Sequence, residues 1–359
     1  MMHRYLLFPL LIFLGAFVLD KQLFVGGLPD YFLRTASFIN YEHKEDLIND
    51  LDSYLKRTDR KRVMVMLGSS RTLSFNTGYI QENHPDWVLF NFSVPGGNND
   101  YYYRFMEMFH EREIRPDLLV LAVTPQGFNL RPRVTLDEVM LNGLPPLFVA
   151  RHAFAYRSQE LTNYAIKKLF WSYRYRLNWG TLIQRTEENS KLMIRFKQFR
   201  ARTYVALIDN RGSVPFHDNP DPNQDPARFQ KEADGTWNSF YRGFELSDGQ
   251  MYFAEGNLRL ARETGIRTRM LWAPVGPELR RILNEREIKI DGEATTIRAH
   301  WESRMRALAE RHGAPLIDLN FSEQLDCDRF YDVSHLAGAC FGDLTDRLLR
   351  EAAPAEPET

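Results

Sequence analysis

VMVMLGSSR, Val63 to Arg71, opens on five consecutive apolar residues and then breaks into glycine and serine. An unbroken apolar run that short suits a strand buried on both faces, as in a parallel sheet. The Gly-Ser-Ser after it marks the strand's carboxyl end. Four further runs repeat the pattern: WVLFNFS at Trp87–Ser93, DLLVLAVT at Asp117–Thr124, TRMLWAP at Thr268–Pro274 and APLIDL at Ala314–Leu319. Helical patterns lie between most of them: YYYRFMEMFHERE before the third run, MYFAEGNLRLARETG before the fourth, and IRAHWESRMRALAERHG before the fifth, with Gly313 as its stop. A last helix is expected after His335, ending near Glu351. Strands alternating with helices predict an α/β fold built on a doubly wound parallel sheet of about five strands. Ligand sites in such sheets lie beyond the carboxyl ends of the strands.

The alternation occupies residues 61–130 and 251–352. Residues 22–60 read as a linker and a polar helix. Residues 131–250 interrupt the pattern as an insertion. Its first part, 135–205, reads as helices. Between Arg151 and Arg202 it carries twelve Lys or Arg against three Glu, interleaved with Phe154, Tyr156, Phe170, Trp171, Tyr173, Tyr175 and Trp179. Three readings stay open: a cap whose aromatics stack on sugar rings, an interfacial element whose bases meet anionic headgroups, or a helical subdomain with its aromatics packed inside. The stretch SVPFHDNPDPNQDPARF, 213–229, reads as loop. The tail, 353–359, is expected to be disordered.

With 359 residues, 44% of them hydrophobic, the chain can bury a sizeable core. A formal net charge of −1 gives no footprint for nucleic acid. Two cysteines, Cys327 and Cys340, exclude a multi-bridge scaffold and a four-cysteine zinc site. One bridge between them and two unpaired thiols both remain open. His152 and His217 lack partners at metal-ligand spacing, and no phosphate-cradling glycine motif occurs, so neither metal nor nucleotide cofactor is expected.

The N-terminus carries YLLFPLLIFLGAFVL, Tyr5 to Leu19, which Asp20 and Lys21 end. At 1.5 Å per residue this falls short of a bilayer core of roughly 30 Å, but LFVGGL resumes after Lys21 and lysine can snorkel. No cleavage site follows. The reading is an uncleaved signal anchor over 1–21, a transmembrane helix with the bulk of the chain on the external or periplasmic side, since Arg4 stays inside.

The strand ends hold the chemistry. Ser70 lies just past the first strand, where backbone N–H groups can stabilise an oxyanion. Serine needs a base within hydrogen-bond reach. The second strand ends in NFSVPGGNN, Asn91 to Asn99, whose Gly96 and Gly97 allow close backbone approach to a ligand. FYDVSHL, Phe330 to Leu336, places Asp332 three residues before His335. On one helical turn the two would share a face, the carboxylate orienting the imidazole. Each motif alone reads equally as a turn or a helix cap.

Together they resemble the SGNH/GDSL hydrolase superfamily over 60–130 and 250–352. Gly68-Ser69-Ser70 is similar to its first block, which makes Ser70 the nucleophile. Gly96 matches the oxyanion glycine of the second block. Asp332-Val333-Ser334-His335 matches the last block, D-x-x-H. The third block, G-x-N-D, is replaced by TPQGFN, Thr124 to Asn129, where Gln126 sits nearest the oxyanion asparagine. The resemblance implies an SGNH/flavodoxin-like sheet, a catalytic Ser70, Asp332 and His335, oxyanion donors from Ser70, Gly96 and Gln126, and substrate contacts from Arg71 and Asn98. The chain also looks like the membrane-anchored SGNH-like proteins of cell-envelope O-acylation. That implies a polysaccharide or acylated glycan substrate and a membrane-bound O-acyltransferase partner. The altered third block keeps a second reading open, a catalytically inactive SGNH-like module that binds glycan or scaffolds such a complex.

Overall fold

The computed structural model describes residues 2–25, 38–130, 136–175, 189–215, 225–290 and 292–350. The protein is α/β. Strands β1 (Arg62–Leu67), β2 (Trp87–Asn91), β3 (Leu118–Ala122), β4 (Thr268–Trp272) and β7 (Leu316–Asp318) form one five-stranded sheet in the order β2-β1-β3-β4-β7. All four pairings are parallel, with Val65 opposite both Phe90 and Leu119, and Leu271 opposite Ile317. Every residue of β2 and β3 is buried, as apolar runs without alternation require. Between β4 and β7 lies the antiparallel hairpin β5 (Glu287–Ile290) and β6 (Glu293–Thr296); after β7 comes the small hairpin β8 (Phe330–Asp332) and β9 (His335–Leu336).

Strand β2 ends at Asn91, two residues before the end of the WVLFNFS run, although the Phe92 and Val94 N–H groups still donate to the Met66 and Gly68 carbonyls at 2.8 and 3.1 Å. The Asn91 side chain adds to this bonding: Nδ2 donates to the Thr72 carbonyl at 2.8 Å and Oδ1 accepts from the Ser93 N–H at 2.9 Å. The turn at β2's end is thereby tied to the segment after β1.

Helices cover both faces of the sheet. Asn99–Glu111 follows β2, Asp248–Glu263 precedes β4, Ile297–His312 precedes β7, and Phe341–Arg350 closes the described chain. Gly313, in the left-handed conformation at φ 64°, ends the third of these. Trp272 of β4 meets Trp301 edge-on, ring centroids 4.6 Å apart, and Phe92 sits 4.9 Å from Phe105. Within 22–60, where a linker and a polar helix are expected, the described helix is Phe38–Leu55, and it packs against the domain. Leu47, Ile48 and Leu51 are buried in the main core, and the fully buried Lys44 donates to the Asn91 carbonyl at 2.7 Å. Its polar appearance comes from the opposite, solvent-facing side.

In the insertion, the helices Leu136–Gly143, Pro146–Arg151, Ser158–Leu169, Trp171–Tyr175, Asn189–Asp209 and Pro226–Phe240 are described. The stretch read as loop over 213–229 is therefore helical from Pro226, capped by Asp225, whose carboxylate accepts the Ala227 N–H at 3.0 Å. Residues 216–224, with His217, lie outside the described residues, as do Trp179 and the tail 353–359. Tyr156 and Tyr164 are packed inside, whereas Phe154 is 72% exposed.

The N-terminal helix spans Met2–Val25 and does not stop at Asp20 and Lys21. The Asp20 carboxylate turns into the protein and accepts the N–H groups of Trp171 at 2.8 Å and Ser172 at 2.9 Å. It thus satisfies orphan donors at the start of the Trp171–Tyr175 helix. The Lys21 Nζ lies 4.4 Å from the Trp171 ring, and Phe13 and Phe17 meet Phe170 edge-on. Among the described residues no helix is long and apolar enough to cross a membrane, so the transmembrane anchor expected over 1–21 finds no support in the helix itself. The charged pair that was to end the apolar run falls inside the helix instead.

Candidate active site

Three strand ends and one hairpin converge. β1 delivers Ser70 at the start of a short 3-10 turn, Ser70–Thr72, which Ser69 caps. β2 delivers the turn Val94–Gly97, closed by the Gly97 N–H donating to the Val94 carbonyl at 3.0 Å. Pro95 and Gly96 occupy its centre, and Gly96 has φ 71°, the conformation the third position of a type II turn demands. Gly97 packs so close to β1 that a Cβ there would lie 2.3 Å from the Gly68 carbonyl oxygen. The turn is held from outside by the Tyr41 hydroxyl on the Pro95 carbonyl and the Tyr102 hydroxyl on the Gly97 carbonyl at 3.0 Å. β3 delivers Thr124, which caps a short helix, Pro125–Phe128, containing Gln126.

Asp332 and His335 do not share a helical turn. They end β8 and begin β9, facing each other across a two-residue loop, Val333–Ser334. In so tight a hairpin the residues flanking the loop are directly opposite, and their side chains stand on one face. A spacing of three serves a helix and a two-residue hairpin alike, and the aromatic Phe330 and Tyr331 favour the strand. The loop is hooked to the segment after β4 by Gly276, the N-cap of the Pro277–Glu285 helix, whose N–H donates to the Val333 carbonyl at 3.0 Å. A disulfide joins Cys327 to Cys340, bracketing the hairpin.

The side chains form one continuous hydrogen-bonded line. Ser70 Oγ is 2.8 Å from His335 Nε2, and His335 Nδ1 is 2.8 and 2.9 Å from the two Asp332 oxygens. Burial by itself would raise the Asp332 pKa. The hydrogen bond and charge of His335, the Ser334 N–H at 2.8 Å and the nearby Arg71 outweigh it and hold the carboxyl below its usual value. An ionised acceptor on Nδ1 orients Nε2 toward Ser70 Oγ as the ring nitrogen that can accept its proton.

Ser70 and His335 open onto a cavity of about 170 Å³, also lined by Ser69, Arg71, Gly96, Gly97, Asn98, Thr124, Gln126, Gly127, Asn129, Phe240 and Ser334. Two of its backbone N–H groups, those of Ser70 and Gly96, make no hydrogen bond among the described residues. Asn98 begins the Asn99–Glu111 helix without using its side chain as a cap. The Gln126 Oε1 accepts from Arg71 Nη2 at 3.3 Å, so the atom left for a ligand is the Nε2 donor. Of the seven residues expected at the site, Ser70, Arg71, Gly96, Asn98, Gln126 and His335 line this one cavity, and Asp332 stands directly behind His335.

Phe240 is the residue that sequence reading misses. It comes from the insertion and is held there by Asn129, whose Nδ2 donates to the Phe240 carbonyl at 2.6 Å and whose Oδ1 accepts the Glu245 N–H at 3.0 Å. Nothing in the local pattern around Phe240 marks it, because its place depends on how the Pro226–Phe240 helix returns to β3. The aromatic, basic helices of 135–205 supply no described lining residue. His152 is engaged by Glu107 at 3.2 Å, and among the described residues no three His, Cys, Asp or Glu side chains converge as a metal site.

A family described as "Protein of unknown function (DUF1574)" matches residues 1–352. No curated protein matches the chain.

Proposed function

The chain belongs to that family, whose description carries no activity, and we propose that it is an SGNH-like serine acyl-ester hydrolase or O-acyltransferase acting on a cell-envelope polysaccharide. The observation that carries this reading is the unbroken line from Ser70 through His335 to Asp332. The strand order, with β1 between β2 and β3, supports the flavodoxin-like arrangement of that superfamily, whose ligands sit at the switch point where these strands diverge.

In this mechanism Ser70 Oγ attacks the acyl carbonyl carbon while His335 Nε2 takes the hydroxyl proton. Asp332 holds the imidazole by Nδ1 and stabilises the imidazolium. The carbonyl oxygen, now an oxyanion, receives the free N–H groups of Ser70 and Gly96, with Gln126 Nε2 as a third donor. One such donor is worth roughly 3 kcal/mol in the transition state. The intermediate collapses by breaking the ester C–O bond, and His335 returns its proton to the departing alcohol. Water, in a hydrolase, or a sugar hydroxyl, in a transferase, then attacks the acyl-serine and gives its proton to His335; collapse breaks the acyl–Oγ bond, and His335 returns that proton to Ser70 Oγ, releasing the acid or the new ester.

The cavity's small volume and the polar side chains around it favour a short acyl group on a sugar over a lipid chain, since pockets for drug-sized ligands run roughly 300–1,000 Å³. A disulfide beside the site fits an oxidising compartment, external or periplasmic. The exposed Leu7, Phe8, Leu11, Ile12 and Leu19 of the first helix fit seating in a lipid surface, which would hold the domain next to a membrane-bound O-acyltransferase partner.

A fluorophosphonate probe tests the nucleophile. Wild type is expected to be labelled at Ser70 and Ser70→Ala to stay unlabelled. Unlabelled wild type, or equal labelling of the two, sinks the proposal.

A further inference from the structure

Arg71 follows the nucleophile, yet its side chain is not a surface cation. It is 6% exposed, it lines the same cavity, and its Nη1 is enclosed without a hydrogen-bond partner among the described residues. Among the described residues its Nη2 has only the neutral Gln126 oxygen, at a long 3.3 Å. Among the described residues no carboxylate lies within ion-pairing distance of it. Asp332, whose carboxyl feels the Arg71 charge, is already committed to His335 and the Ser334 N–H. A desolvated guanidinium whose nearest carboxylate is bonded to other groups is costly and is found where something else brings a directly paired anion.

We propose that Arg71 forms an anion subsite beside Ser70, so that the sugar carrying or receiving the acyl group bears a carboxylate or phosphate. This rests on the acyl-transfer reading for the position of the ester, but not for the binding of the anion. Arginine suits such a subsite because its planar fork meets carboxylate or phosphate oxygens through two N–H groups, and it stays charged throughout. Gln126 acts with it. By accepting from Nη2 it fixes the guanidinium plane, and its own Nε2 remains available to the same ligand or to the oxyanion. The side chain of Asn98 adds a neutral donor or acceptor on the cavity wall for a sugar hydroxyl. A neutral ester would leave Arg71 unpaired in the closed complex, so discrimination against it arises from the penalty on the empty subsite as much as from attraction to the anion.

Binding is measured on the full chain as Ser70→Ala, which separates the subsite from turnover. Calorimetric titrations use glucuronic acid and glucose 6-phosphate, with methyl glucuronate as the neutral counterpart. An anion is expected to bind roughly ten- to a hundredfold more tightly than the neutral sugar. The preference is expected to persist in Arg71→Lys and to vanish in Arg71→Gln. Preference for glucuronic acid assigns a uronate, and preference for glucose 6-phosphate a phosphosugar. Equal binding of charged and neutral sugars, no binding of either anion, or an undiminished preference in Arg71→Gln overturns the subsite. If Arg71→Gln does not fold, the charged-to-neutral ratio of the Ser70→Ala protein alone decides. Failure of the acyl-transfer reading shows separately: wild type would turn over neither acetylated glucuronic acid nor its methyl ester, while the anion preference in Ser70→Ala would stand.

Discussion

His335 faces Asp332 across a two-residue hairpin loop, with its Nδ1 within 2.9 Å of both carboxylate oxygens. The hairpin makes the pair rigid in a way that a frayed helical turn would not. Its loop is hooked to Gly276, its strands are bonded to each other, and a disulfide closes its base. The imidazole and the carboxylate are therefore held in register by the fold itself.

Asp332→Asn keeps the shape of this pair and removes its charge. The amide can present N–H toward Nδ1, which selects the wrong imidazole tautomer. Esterase turnover should fall on the order of a thousandfold or more with melting temperature little changed. Steady-state kinetics on an acetyl ester check it, and a loss below about tenfold would show that Asp332 does not orient the base.

Gly97→Ala places a methyl 2.3 Å from the Gly68 carbonyl oxygen, which is backbone and cannot swing away. The turn carrying Gly96 must then lift from β1. Stability should drop by about 1–3 kcal/mol, read by urea denaturation, and the oxyanion N–H should move out of register. Turnover should fall by more than the stability loss explains.

Replacing both Cys327 and Cys340 by Ser opens the loop that carries the Asp332–His335 hairpin. With a sequence separation of 13 residues, the chain-entropy expectation is a loss of about 3 kcal/mol. Denaturation of the double variant, and of wild type with and without reductant, measures it. The hairpin should open before the sheet does, so esterase activity should be lost at lower urea than the far-ultraviolet signal.

His43 sets a pH dependence away from the site. Burial, reinforced by the neighbouring Lys44 charge, lowers its pKa to about 4. Glu42, Asp46 and Arg200 line the groove beside it. An unfolded chain protonates this histidine below about pH 6.5, whereas the folded chain resists until near pH 4. Between those values the unfolded state binds more protons, so stability falls as pH falls. His43→Gln should flatten that part of the stability curve; an unchanged slope would assign the acid sensitivity to other groups.

The sequence alone determined the sheet. Five short apolar runs carry their own burial signature, because a strand covered on both faces has no polar side to show, and each run lies in β1, β2, β3, β4 or β7. The SGNH/GDSL resemblance, carried by the serine and glycine at two strand ends and by Asp-x-x-His near the C-terminus, named Ser70, Gly96, Gln126, Asp332 and His335, where each local pattern by itself read equally as a turn or cap. What the tertiary structure alone decided is how these patterns meet. Ser70 and His335 are 265 residues apart, and only the folded order of strands brings them to 2.8 Å. The hairpin under Asp332, the inward turn of Arg71, the docking of the Phe38–Leu55 helix and the arrival of Phe240 were equally invisible. Residue spacing reports which side of an element is buried, not what comes back from elsewhere in the chain to bury it.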